Sequence, residues 1–175
     1  MRTHVVLTIS GPDRVGVVEE VAAAILQLGG NIETSRMVRL GGEFATLALV
    51  DLPADSVTKM PEAFTDLTGQ GYTAYFSSVR TFEGVEREGW STYVVEVFGA
   101  DHEGIVHQIA RGLAQNGVTI DSLDTEIVPA PVTGVGLFTM KATVAVPAHV
   151  VEQEWRSALA DAAAEAGVDV EVNAL

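Results

Sequence analysis

The sequence predicts an α+β protein built from two ferredoxin-like βαββαβ modules, each with a four-stranded antiparallel sheet and both helices on one face. The main observation is an internal repeat. The loop Gly11–Gly16 (GPDRVG) returns 88 positions later as Gly99–Gly104 (GADHEG). In both copies an alternating apolar pattern precedes the loop, and an amphipathic helical pattern follows it. We therefore expect function where such modules meet, rather than one active site spread over the chain.

The first copy contains a signal for each of its elements. Residues 5–9 alternate between apolar and polar, which predicts a half-buried strand, and Gly29-Gly30 is typical of the end of the helix that follows. Asn31–Arg39 and Phe44–Val50 predict a hairpin with Gly41-Gly42 as its turn. A second helix and a last strand complete the copy. The core-facing stripes expected on the two helices are Val18, Val21, Ile25 and Leu28, then Val57, Met60, Phe64 and Leu67.

The second copy repeats this order with a longer hairpin loop, residues 129–134 (PAPVTG), in place of the tight turn. The stripes expected on its helices are Val106, Ile109, Ala110 and Leu113, then Val151, Trp155, Leu159 and Ala162. Residues 80–92 lack any apolar period and carry charge and glycine. The predicted organisation is module 1 over residues 1–80, a linker over 81–92 and module 2 over 93–175.

The charge of the chain argues against a nucleic-acid partner. The formal net charge is −14, and residues 88–175 hold 3 basic against 13 acidic residues. A protein that binds DNA or RNA neutralises phosphates with clustered Lys and Arg, and this sequence has no such cluster. We expect no direct nucleic-acid binding.

Cysteine usage and hydropathy limit the remaining classes. The sequence contains no Cys, which excludes disulfides, thiolate metal sites and a Cys nucleophile. No apolar run approaches the length needed to cross a bilayer, and the first residues lead directly into a strand pattern. A cytoplasmic location without a membrane partner is the expectation.

The repeated loop has the G-x-x-x-x-G spacing of a phosphate loop but lacks the Lys-Ser or Lys-Thr that should follow it. Val17-Val18 and Ile105-Val106 stand at those places, so nucleotide binding is not expected. A glycine-bounded turn that leads into a helix N-terminus still attracts an anion such as a carboxylate. The alternative is that the glycines only permit the turn, with Asp13 and Asp101 as helix caps.

The second loop contains a group of possible metal ligands, namely Asp101, His102, Glu103 and His107. The two histidines are five residues apart, so they do not share a helix face as an i, i+4 pair would. The first copy has Asp13, Arg14, Val15 and Glu19 at the matching positions, which could not bind a metal in the same way. Neither a metal nor a cofactor is expected, and no catalytic arrangement can be derived from the spacing, so we expect a protein that is not an enzyme.

The first loop, its helix and the following Gly-Gly-Asn-Ile resemble the opening of an ACT domain, the small ligand-binding module of amino-acid metabolism. The second copy, with Gly-Ala-Asp-His-Glu-Gly-Ile-Val and later Asn-Gly-Val-Thr-Ile, is a looser match. A chain of two such modules without a catalytic domain is similar to the glycine cleavage system transcriptional repressor family. This resemblance implies a regulatory protein that binds a small amino acid, glycine or similar, and forms a homo-oligomer. It also implies control of glycine cleavage genes through a partner such as a transcription factor.

In that family the ligand commonly lies between two modules, against the first loop and the start of the second strand. The positions that the resemblance carries over are Gly11, Asp13, Arg14, Val15, Gly16, Asn31 and Ile32 in the first copy, and Asp101, His102, Glu103, Gly104, Thr119 and Ile120 in the second. Glu103 would repel a carboxylate, so the first copy is expected to hold the working site. We expect backbone N–H groups of Gly11–Gly16 to bind the carboxylate and the Asn31 side-chain carbonyl to accept from the ammonium.

Two other functions remain open from the sequence. An acylphosphatase-like hydrolase uses the same loop with an Arg and a catalytic Asn, for which Arg14 and Asn31 are the candidates. The other is a dimerisation module that binds no ligand.

Overall fold

The computed structural model describes residues 1–79, 87–129 and 136–175. The chain separates into two compact units, Met1–Gly84 and Val85–Leu175, here called module 1 and module 2. The predicted α+β class with two four-stranded antiparallel sheets is confirmed. The predicted linker lies outside the described residues from 81 to 86, and so does most of the predicted long hairpin loop. Ser91 and Thr92, which are predicted as linker, belong to the first strand of module 2.

The elements of module 1 are β1 (Arg2–Pro12), α1 (Val17–Gln27), β2 (Asn31–Leu40), β3 (Glu43–Pro53), a 3-10 helix (Ala54–Lys59), α2 (Met60–Ala63), α3 (Thr65–Gly69) and β4 (Thr73–Ser78). Those of module 2 are β5 (Ser91–Ala100), α4 (Ile105–Gln115), β6 (Thr119–Pro129), β7 (Gly136–Val146), α5 (Glu152–Glu165) and β8 (Asp169–Ala174). The strand orders are β2-β3-β1-β4 and β6-β7-β5-β8. Both modules also share a β-bulge, between Ile32 and Thr34 and between Ile120 and Ser122.

The first helix of each module buries the predicted residues Val21 and Ile25, or Ile109 and Leu113, but the predicted first member of each stripe is wrong. Val17 and Ile105 are buried, whereas Val18 and Val106 are 46% and 39% exposed. The two candidates stand four and three positions before the next buried residue, and both spacings are typical of one helix face. The end of α1 is as predicted. Gly29 has φ +70°, and the N–H groups of Gly29 and Gly30 donate to carbonyls in the last turn.

The second helical segment differs between the modules. In module 1 one continuous helix is predicted, but the structure has a 3-10 helix followed by α2 and α3. Pro61 has no N–H for the carbonyl four residues earlier, and Phe64 leaves the helical region at φ −103° and ψ 9°. The predicted core residues Met60, Phe64 and Leu67 are nevertheless buried.

Module 2 has one continuous helix here, α5. Trp155 and Leu159 are buried as predicted. Val151 is exposed because it precedes the helix as its N-cap residue, and Ala163 rather than Ala162 is fully buried. Helices α4 and α5 approach closely, since a Cβ atom on Gly112 would lie 2.9 Å from the Cβ of Ala162.

The sheet faces that point away from the helices have opposite characters in the two modules. One row of directly paired residues across the module 1 sheet is Arg36, Leu47, Thr8 and Tyr75. Leu47 and Tyr75 in this row are 52% and 65% exposed. The equivalent row of module 2 is Asp124, Lys141, Glu96 and Glu171, in which Lys141 and Glu96 form an ion pair of 3.1 Å. The first face is mostly uncharged, and the second is acidic.

Candidate ligand-binding loops

The local backbone conformation explains why glycine stands at particular positions of the repeated loops. Gly16 and Gly104 precede α1 and α4 with φ +93° and +95°, in the left-handed region that favours glycine. At Gly11 a Cβ atom would lie 2.6 Å from Cδ1 of Tyr72, so a side chain does not fit there. The backbone of both loops is thus fixed by glycine.

The two loop aspartates do not cap the helices, so the capping alternative is wrong. Neither α1 nor α4 has a side-chain hydrogen bond at its N-cap. The carboxylate of Asp13 instead pairs with Arg39 at 2.6 Å. The Asp13 N–H donates to the Gly42 carbonyl, and the Asp101 N–H donates to the Gly136 carbonyl, both at 2.9 Å. The loop of module 1 is therefore bound to the β2–β3 turn and that of module 2 to the first residue of β7, and neither helix has a side-chain capping hydrogen bond among the described residues.

Arg14 is engaged in contacts within module 1. Its guanidinium donates to both carboxylate oxygens of Glu20, at 2.6 and 2.7 Å, and to the side-chain oxygen of Gln70 at 2.7 Å. It also lies 5.6 Å from the ring centre of Tyr72, whose hydroxyl donates to the Pro12 carbonyl. The hydrogen bonds with Glu20 raise the pKa of Arg14 and lower the pKa of the Glu20 carboxyl. Arg14 therefore connects the loop to the end of α3.

His102 occupies the matching place in module 2. Its Nε2 is 2.6 Å from the carbonyl oxygen of Ala166, and its Nδ1 is 3.0 Å from the carbonyl oxygen of Glu103. The backbone hydrogen bond with Glu103, and then the one with Ala166, raise the pKa of His102. Both ring nitrogens are occupied in this way. Across residues 1–79, 87–129 and 136–175, no cluster of three or more His, Asp or Glu side chains could hold a metal ion.

The remaining predicted site residues divide by exposure. Val15 is fully exposed at the loop, and Asn31 and Thr119 are exposed at the first positions of β2 and β6. Ile32 and Ile120 are half-buried and pack against the hydrophobic cores of their modules. Their side chains serve the core, which leaves Asn31 and Thr119 as the polar groups at the strand starts.

Within module 1, the loop Gly11–Gly16 and the start of β2 lie far apart. Strands β1 and β2 both run antiparallel to β3, so they point in the same direction. Asn31 is aligned through Asp51 with His4, near the start of β1, whereas Gly11 lies seven residues further on. At about 3.3 Å per residue the separation is about 23 Å. The Arg14 and Asn31 pair that an acylphosphatase-like site requires is therefore not assembled within module 1.

Sequence reasoning missed the residues that hold the loops. Glu20, Gln70 and Tyr72 in module 1 and Ala166 in module 2 contact the loop residues at position 14 or 102, or the backbone beside them. Gln70 follows Arg14 by 56 positions, so no local pattern connects them. Ala166 takes part through its backbone carbonyl, which no side chain signals.

Comparisons with known proteins agree with this architecture. The fold defines a tandem ferredoxin-like protein with one glycine-bounded loop at a helix N-terminus in each module. Models of the ACT domain match residues 3–68 and residues 91–173. The chain therefore belongs to the ACT-domain family and carries two ACT domains in tandem, which supports a regulatory role in amino-acid sensing.

Among the solved structures that are similar to this chain, some cover all of it. A crystal structure of an unknown protein from Galdieria sulphuraria is 32% identical, with a TM-score of 0.87 over 100% of this chain and 99% of that chain. A crystal structure provisionally described as a glycine cleavage system transcriptional repressor is 22% identical, with a TM-score of 0.69 over 100% of this chain and 98% of the other. No curated protein sequence matches the chain. Among the described residues, no helix is both long and apolar enough to cross a membrane.

Proposed function

We propose that the protein is an amino-acid-responsive regulator that acts through protein contacts and not through DNA. The observation that supports this most is the repeated loop, in which a left-handed glycine precedes a helix whose N-terminus has no side-chain cap. The first N–H groups of such a helix have no intrahelical partner and, together with the helix dipole, favour a carboxylate. Space is available as well, because a Cβ atom on Gly16 would meet only the far end of Glu20, at 3.9 Å.

Charge favours the module 1 loop as the working site. Asp13 is paired with Arg39, and Glu20 is paired with Arg14, so these two carboxylates are largely compensated. In module 2, Asp101 and Glu103 accompany a single histidine in the loop. A ligand carboxylate would therefore meet less repulsion at Gly11–Gly16 than at Gly99–Gly104.

The amino group of the ligand requires a hydrogen-bond acceptor, in addition to the N–H groups that bind the carboxylate. Asn31 is about 23 Å from the loop of its own module by strand geometry. We propose that the Asn31 that accepts from the ammonium belongs to a second copy of the chain, which agrees with the expected homo-oligomer. Ligand binding and association of copies would then be coupled, since the complete site exists only in the assembly.

The regulated process is proposed from the likeness to the structure described as a glycine cleavage repressor. At 22% identity that likeness supports the fold, and it suggests genes of glycine cleavage as the target. With a net charge of −14, regulation of such genes would require a protein partner, for example a transcription factor.

Calorimetric titration of the full chain with each of the twenty amino acids tests the proposal. Gly16→Leu and Gly104→Leu form a matched pair, because both replace a glycine of nearly the same positive φ and impose similar backbone strain. We expect Gly16→Leu to abolish binding and Gly104→Leu to change affinity little. Equal losses would indicate that both loops bind, and a lack of heat with all twenty ligands would favour the dimerisation module without ligand.

Asn31→Ala tests the second half of the site, with Thr119→Ala as its counterpart in module 2. Loss of a hydrogen bond to a charged ligand group costs about 1.5–3 kcal/mol, so affinity should fall roughly ten- to a hundredfold in the first variant. Unchanged affinity in Asn31→Ala would remove this residue from the site. Salt-dependent binding of the wild-type chain to random duplex DNA would contradict action without nucleic acid.

A further inference from the structure

The contacts of His102 depend on the charge of its ring. Both partners, the carbonyl oxygens of Ala166 at 2.6 Å and of Glu103 at 3.0 Å, are acceptors only. A neutral imidazole carries one N–H, whereas the imidazolium carries two. The two hydrogen bonds can therefore be made together only by the protonated ring, and the neutral ring must give up one of them.

The surroundings of His102 favour the protonated form. Ala166 is the C-cap residue of α5, a helix of 14 residues whose negative dipole end stabilises a cation. The charged or titratable groups on the segments that meet here are Asp101 and Glu103 in the loop, His107 on α4, Glu165 on α5 and Asp169 on β8. Four of these five are carboxylates. The attraction of Asp101 contributes to the raised pKa of His102.

Module 1 has a permanent cation at the same place. Arg14 stands 88 positions before His102 and donates to Gln70, the C-cap residue of α3. A guanidinium remains protonated throughout the physiological range. Both modules thus connect the loop to the end of the second helical segment with a cation, but only that of module 2 is a histidine, which can lose its proton.

We propose that His102 is a pH-sensitive latch that holds the β5–α4 loop against the end of α5 with two hydrogen bonds when protonated and holds it more weakly when neutral, because one of the two is then lost. The module 1 loop, held by Arg14, does not respond over the same pH range. The chain would therefore contain one constitutively closed loop and one that is held more weakly as pH rises. This inference does not depend on whether either loop binds an amino acid.

The test is an NMR titration of the full-length, isotope-labelled chain between pH 5.5 and 8.5. It follows the His102 ring signals together with amide exchange at residues 101–108 and 163–168. Exchange rates are divided by the intrinsic rate at each pH. We expect protection at these amides to fall in parallel with deprotonation of the His102 ring, while residues 11–20 keep theirs. Constant protection at 101–108 across the His102 titration would overturn the proposal.

Two substitutions separate the latch from a general pH effect. His102→Arg should keep the loop protected at all pH values, as Arg14 does in module 1. His102→Gln should leave the loop equally open throughout. His107→Gln is the matched control, since it removes the neighbouring histidine and should retain the pH-dependent step. Persistence of the step in His102→Arg, or its loss in His107→Gln, would assign the response to another group.

Discussion

Arg14 and His102 hold equivalent loops in two modules of one chain, with different chemistry. Arg14 makes a bidentate ion pair with Glu20 and donates to the side chain of Gln70, whereas the hydrogen bonds of His102 are to backbone carbonyls. The loop backbones are nevertheless alike, with a left-handed glycine at the same position in each. The comparison shows that glycine sets the shape of the loop, whereas the cation that connects the loop to the second helical segment differs between the modules.

The second helical segment and the outer sheet face differ in the same pair of modules. Module 1 has a segment interrupted at Pro61 and Phe64 and a mostly uncharged outer face, and module 2 has the continuous α5 and an acidic face. The sheet order and the β-bulge are unchanged. Features set by backbone pairing are thus common to both modules, and features set by side chains have diverged.

The largest effect is expected from truncation of the central aromatic residue of module 2. Trp155 is 1% exposed and packs edge-on against Tyr93, with ring centres 5.2 Å apart. Trp155→Ala should lower the free energy of unfolding of module 2 by about 3–5 kcal/mol. Urea unfolding followed by circular dichroism measures the loss, and the fluorescence of the remaining Trp90 reports on module 2 because module 1 contains no tryptophan.

Trp155→Phe is the control for that measurement. The indole N–H of Trp155 is buried and has no hydrogen-bond partner among the described residues. The phenyl ring retains most of the packing and removes this donor, so the loss should be much smaller than for Ala. An equally large loss would show that the indole N–H is satisfied in solution.

A smaller effect is expected where α4 and α5 cross. Gly112 occupies the position of Ala24 in module 1, and a methyl group there would lie 2.9 Å from the Cβ of Ala162. Overpacking costs about 1–3 kcal/mol, and the gain in helix propensity offsets about 1 kcal/mol, so Gly112→Ala should destabilise module 2 by about 1 kcal/mol. Thermal unfolding of Gly112→Ala, Ala162→Gly and the double variant provides a double-mutant cycle with favourable coupling. A stabilising effect of Gly112→Ala would mean that α4 and α5 can move apart to admit the methyl group without a loss of stability.

The smallest effect concerns the ion pair of module 1. The pKa of the Glu20 carboxyl is lowered from 4.5, so its contribution to stability is present above that value and is lost as pH falls through the folded-state pKa. Glu20→Gln should reduce the unfolding temperature slightly at neutral pH and make its decline in acid shallower, because both partners are about one-third exposed. Differential scanning calorimetry from pH 3 to 7 measures this. Glu19→Gln removes the adjacent charge and should not reproduce the effect.

Much of the fold could be predicted because its signals are local. The period of β1, the Gly41-Gly42 turn and the Gly29-Gly30 helix end each depend on a few neighbouring residues. The first buried residue of α1 could not be resolved, since Val17 and Val18 are both apolar. The interruption at Pro61 was accessible from the sequence, because a proline within a helical pattern removes a donor.

Less of the candidate site could be predicted. The loop glycines have a local signal, but Gln70 and Ala166 reach the loops only through the tertiary fold. The distance between Asn31 and its own loop was accessible from the predicted strand order, but the expected site did not take it into account. Strands β1 and β2 run in the same direction, so a residue that starts β2 lies far from the loop that ends β1.

The mostly uncharged outer face of module 1 affects how the molecule behaves at high concentration. Residues 1–87 hold 7 basic and 11 acidic residues, so most of the net charge of −14 belongs to the other half. Module 2 therefore supplies most of the electrostatic repulsion that keeps chains apart, including the faces around Leu47 and Tyr75. Near the isoelectric point of about 4.5 that repulsion vanishes, and aggregation should begin at the outer face of module 1. In colloidal terms, the charge of module 2 is what limits self-association through the module 1 face.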